Sequence, residues 1–137
     1  MDRQKKEDRR LAYTALVFLF LYVGVMIIAS CIPGQQLQDT VIPTYSGVFH
    51  FLEFLLFGFI AATTFALFDV EYFFSSLTVS IIFMSVLTEG IQYFVPGRIF
   101  SITDLVVNVA GGLTFILITV LFTIIGIILG RRGGAKL

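Results

Sequence analysis

The chain has 137 residues, of which 58% are hydrophobic, 15% aromatic and 13% charged, with nine basic residues balancing nine acidic ones. A mean hydropathy of +0.98 leaves too little polar surface for a soluble monomer and places the chain among integral membrane proteins. Zero net charge gives no basic field for a nucleic-acid partner, and the single cysteine, Cys31, excludes an internal disulfide or a multi-cysteine metal site.

In chain order, a basic tail over residues 1–10 precedes four apolar runs, Leu11–Ile32, Gly47–Phe68, Phe73–Val95 and Asp104–Leu129. Each is long enough to cross a hydrocarbon core, which takes roughly 20 residues at about 1.5 Å per residue. Turn chemistry separates them: Pro33-Gly34 with the polar stretch Gln35–Thr44, then Asp69-Val70-Glu71, then Pro96-Gly97-Arg98. The expected fold is all-α, a bundle of four transmembrane helices forming one domain over residues 11–130, with a second basic tail at 131–137. Eight of the nine basic residues lie in the two tails, so the retention of Lys and Arg inside places both termini in the cytoplasm. The expected location is the plasma membrane, as a multi-pass protein. Arg98, the one basic residue away from the tails, then faces outward, which points to acidic partners holding it there.

The first run admits a second reading, as a lipoprotein signal ending at Ile28-Ala29-Ser30-Cys31 and cleaved before the cysteine. Its apolar stretch exceeds the roughly 7–15 residues of a signal core, and cleavage would leave basic termini on opposite sides, so a retained helix is the expectation.

Within the apolar runs, the polar residues fall into pairs: His50 with Glu53, Glu89 with Gln92, Asp104 with Asn108. Spacings of three or four put each pair on one helix face. All three pairs lie within roughly 10 Å of the same boundary, at the start of the second and fourth helices and the end of the third. Ionisable groups at membrane depth are costly, so this cluster is the candidate site. Together with Arg98, the pairs form one outward-opening polar pocket, adjoined by Tyr45, Phe49, Tyr93 and Phe100.

The order His50-Phe51-x-Glu53-Phe54, Glu89-x-x-Gln92, Pro96-x-Arg98, Asp104-Leu105-x-x-Asn108-x-x-Gly111 resembles VanZ-like membrane proteins, across the second to fourth helices. The resemblance implies a small polytopic protein of the cell envelope, in a family whose namesake contributes to resistance against the glycopeptide teicoplanin. It implies no reaction. Many members have an Asp-Lys pair just before the histidine, where this chain has Val48-Phe49, so no role resting on that pair is carried over.

Glu53, Glu89 and Asp104 against Arg98 leave a formal charge of −2 that a low-dielectric site must relieve, by protonation or by a bound cation or cationic head group. Binding of a membrane lipid or another amphiphile, such as a lipid-linked or glycopeptide-type molecule, by His50, Glu53, Glu89, Gln92, Arg98, Asp104 and Asn108 is the leading expectation. The bland alternative is a network holding helices in register around Arg98. Acid–base catalysis on a lipid-linked substrate by His50, Glu89 and Asp104 is a third reading, without a nucleophile motif; Ser101 and Thr103 read as caps of the fourth helix. A small proton-coupled exporter is a fourth, opposed by the position of the acids toward one boundary instead of the midplane. No cofactor is expected, and no metal, because the spacing of His50, Glu53, Glu89 and Asp104 matches no established metal motif. If His50 titrates beside a carboxylate, ligand binding changes between about pH 5 and 8.

Among the small residues, Gly126 and Gly130 form a G-x-x-x-G pattern that suits close helix packing or a homo-oligomer interface. Gly58 with Ala61 and Ala62, and Gly111-Gly112, read as close approaches within the bundle. Asp69 and Glu71 read as a solvated turn, and the sixteen phenylalanines as lipid-facing and packing residues.

Overall fold

The computed structural model describes residues 2–33 and 46–133, with side chains over 3–33 and 46–129. The Gln35–Thr44 segment, Gly34, Tyr45, the Gly130 contact and the side chains of the second basic tail lie outside what is described. The described residues form four helices: α1 (Asp2–Ser30), α2 (Ser46–Leu67), α3 (Phe73–Tyr93) and α4 (Ile102–Gly133). All four are long and apolar enough to cross a membrane, and the protein is read here as a multi-pass membrane protein.

The helix ends follow from local chemistry. α1 starts at Asp2 rather than at Leu11, because the first ten residues are rich in Lys, Arg, Glu and Gln, which favour helix wherever water solvates their charges. At about 1.5 Å per residue its 29 residues reach roughly 43 Å, well beyond a hydrocarbon core of about 30 Å, so the charged start extends past the apolar run. α2 ends in a Schellman turn: Asp69 N–H donates to Ala66 O at 3.2 Å and Val70 N–H to Phe65 O at 3.0 Å. Asp69 takes the left-handed conformation there, φ 51°, in the place where glycine is commonest.

α3 and α4 are joined by a tight turn in which Arg98 N–H donates to Val95 O at 3.1 Å. Pro96 presets one central dihedral and Gly97 supplies φ 76°, the residue pattern of a type II turn. Ser101 then caps α4, its Oγ accepting the Asp104 N–H at 3.1 Å.

α2 packs most extensively against α4, and glycines make that approach possible. A Cβ on Gly111 would overlap the Phe51 carbonyl of α2, and one on Gly112 would meet the Ile81 side chain of α3 at 2.6 Å. Gly58 faces Phe115 in the same seam, at 3.1 Å from where a Cβ would stand. The core beside the seam holds Met26, Phe54, Phe57, Ala61, Ala62, Leu77, Ile81 and Met84. Hydrogen bonds cross between helices as well: Tyr22 Oη donates to Glu53 O at 2.9 Å and Ser85 Oγ to Leu105 O at 3.1 Å.

Candidate functional site

Antiparallel neighbours place the beginnings of α2 and α4 beside the end of α3, and this brings the three sequence pairs to one end of the bundle. Glu89, Gln92 and Asn108 are buried, while His50, Glu53 and Asp104 are partly buried. His50 Nδ1 stands 3.9 Å from Glu53 Oε2, one turn along α2. His50, Glu89 and Asp104, from three different helices, each bring a ligand-type atom within 4.8 Å of the others. Asn108 sits beside His50.

The cluster divides by how its atoms are used. One part is engaged in holding the fold. Glu89 Oε2 accepts the Ser101 N–H at 3.2 Å, tying the end of α3 to the start of α4. Arg98 donates through Nη1 to Gln92 Oε1 at 3.2 Å and through Nε to the Ile32 carbonyl at 3.3 Å, tying the turn to α3 and to the end of α1. The other part has polar atoms with no protein partner among the described residues: Glu89 Oε1 and both amide atoms of Asn108, on residues with no solvent exposure. Buried polar groups are almost always hydrogen-bonded, and leaving one unpaired costs about 1–3 kcal/mol.

The expectation that acidic partners hold Arg98 is corrected here. Among the described residues, its hydrogen bonds go to an amide and a backbone carbonyl, and no carboxylate lies within ion-pair distance. The reason is the turn: Pro96-Gly97 directs the side chain of Arg98 toward Gln92 and the open carbonyls at the end of α1, which carry partial negative charge. Among the described residues, the three carboxylates are left without a contacting cationic side chain other than His50 when protonated, which stands near Glu53.

Ser101 is confirmed as the cap of α4, whereas Thr103 lies exposed within its first turn. Two contributors escaped the sequence reading. Tyr22, on α1, bonds the Glu53 backbone, and Ile32 receives Arg98; neither carries a spacing signal, since one is an ordinary aromatic in an apolar run and the other acts through its carbonyl. Phe49, Tyr93 and Phe100 are exposed near the cluster ends of their segments. A separate shallow depression lies along Phe74, Ser75, Thr78 and Val79, at the opposite end of α3, and holds no charged group.

Chemically, the end of the bundle offers an imidazole, two carboxylates and an amide converging from three helices, beside a guanidinium held by its neighbours. Such a set can accept protons, donate and accept hydrogen bonds to a polar head, or ligate a cation. A family model described as VanZ/LLP1 matches residues 7–123. No curated protein and no solved structure matches the chain.

Proposed function

This chain belongs to the VanZ/LLP1 family, and from that premise we propose that its polar end is a binding site for an amphiphile of the cell envelope, a lipid head group or a lipid-linked or glycopeptide-type molecule. The observation that carries this reading is the pairing of Asn108 and Glu89. Both are fully buried, yet both amide atoms of Asn108 and Glu89 Oε1 lack a partner among the described residues. A donor and two acceptors kept unpaired beside His50 suit a ligand with hydroxyl, amine or phosphate groups. The adjoining apolar helix faces suit its hydrocarbon part. With the basic tails in the cytoplasm, the site opens to the outer leaflet.

Thermal unfolding of the purified protein in detergent tests the reading, with phosphatidylglycerol, phosphatidylethanolamine and a polyprenyl phosphate each added in excess. A ligand at a hundredfold excess over its Kd stabilises by about 2.7 kcal/mol, so one head-group class raises Tm by several degrees and Asn108→Leu abolishes that rise. Equal, small shifts for all three lipids in both proteins overturn it.

A second reading is favoured by a different observation. Arg98 and Glu89 Oε2 join α1, α3 and α4 through three hydrogen bonds, which is the helix-register role. It uses other atoms of the same cluster and coexists with binding.

A further inference from the structure

We propose that His50, Glu89 and Asp104 form a divalent transition-metal site, taking Zn²⁺ or Mn²⁺, with Asn108 beside it and Glu53 orienting the imidazole. The three residues come from α2, α3 and α4, and their ligand-type atoms lie within 4.8 Å of one another. Two donors each about 2.0–2.2 Å from one ion stand at most about 4.4 Å apart, so small side-chain rotations close the set. One imidazole with two carboxylates suits zinc or manganese better than calcium or magnesium, which prefer oxygen-only cages.

The cluster has more than proximity. Glu89 is fully buried, and its Oε1 is unpartnered among the described residues while Oε2 is fixed by the Ser101 N–H. That leaves one carboxylate oxygen positioned and free to ligate. Asn108, equally buried and without a partner for its amide oxygen among the described residues, stands beside His50, where it can hydrogen-bond a group held at the position the three donors leave open. Glu53 Oε2 lies 3.9 Å from His50 Nδ1, beyond a hydrogen bond but one side-chain rotation from the contact by which a carboxylate orients a ligating imidazole. The charge also matches. Three carboxylates against one guanidinium leave −2, and since Arg98 contacts none of the three, a divalent ion cancels what the protein leaves uncancelled.

Three protein donors with a further position open is the arrangement in which a metal also holds an exogenous oxygen. The inference does not depend on lipid binding, because the metal alone is the probe.

The test uses the full chain, tag removed, stripped with EDTA and re-equilibrated in detergent. Zn²⁺ retained after gel filtration is measured by mass spectrometry, alongside a calorimetric titration. The expected result is about one zinc per chain. Glu53→Gln weakens binding by about 10–100-fold, His50→Ala and Asp104→Asn abolish stoichiometric retention, and Glu71→Gln, exposed at the other end of the bundle, changes nothing. Cobalt(II) added to the wild type guards against variants that fail to fold: a spectrum of nitrogen and oxygen ligation is expected. No retained zinc in the wild type, undiminished zinc in folded His50→Ala, or a thiolate charge-transfer band from Cys31 overturns the proposal.

Discussion

α4 is one continuous helix with two unlike halves. From Ile102 to Phe115 it carries Asn108, Gly111 and Gly112 into the bundle and packs against α2 and α3. From Leu117 to Leu129 nearly every large side chain is exposed, and among the described residues Gly126 has no neighbouring atom within 4 Å of where a Cβ would stand. Both halves are rich in Leu, Ile and Val, so apolar content does not separate them. What separates them is small and polar residues, as expected where lipid tails are as apolar as leucine and close packing and hydrogen bonds hold helices together. The candidate site lies at the end where both devices are used.

The largest expected effect tests that contrast directly. Gly111→Ala drives a methyl group into the Phe51 backbone and should cost about 3 kcal/mol, the upper end for overpacking; Gly126→Ala should change stability by less than about 0.5 kcal/mol. Thermal unfolding in detergent measures both. If Gly126→Ala proves as damaging as Gly111→Ala, the second half packs on another copy of the chain and the contrast fails.

Asn108→Leu comes next, replacing an unpaired buried amide with an apolar group of similar size. It should raise stability by about 1–2 kcal/mol while removing ligand binding. A clear loss of stability would show that the amide is structurally satisfied and that the packed half contains no site. Ser101→Ala removes the cap at the start of α4 and should cost about 1 kcal/mol, readable as a lower Tm. Arg98→Lys should cost about 0.6 kcal/mol, since an ammonium cannot reach Gln92 and the Ile32 carbonyl with the same fork; a larger loss would mean that the turn, more than the helix seam, organises this end.

Much of this was legible beforehand. The pairs His50/Glu53, Glu89/Gln92 and Asp104/Asn108 were readable because helical spacing fixes which residues share a face, and Pro96-Gly97 was readable because its dihedrals are restricted. The partners of Arg98 were not, since they depend on where a turn aims a side chain and on a carbonyl at the end of a distant helix. Nor does spacing distinguish Gly111 from Gly126. Both belong to small-residue patterns, and only the identity of the facing helix shows which one is crowded. The helical start of α1 is not legible in hydropathy because Leu11 begins the apolar run, not the helix, which starts at Asp2.

The tie from Arg98 to Ile32 has a consequence for biogenesis. It joins residues 66 positions apart, linking the end of the first helix to the turn after the third, and the cluster needs Asn108 from the fourth. As the chain leaves the ribosome and enters the bilayer helix by helix, His50, Glu53 and Glu89 are inserted before their neighbours on α4 exist. The site is therefore assembled last. A chain that stops short of Asp104 holds His50 and Glu89 on their helices but lacks the helix whose carboxylate converges with them.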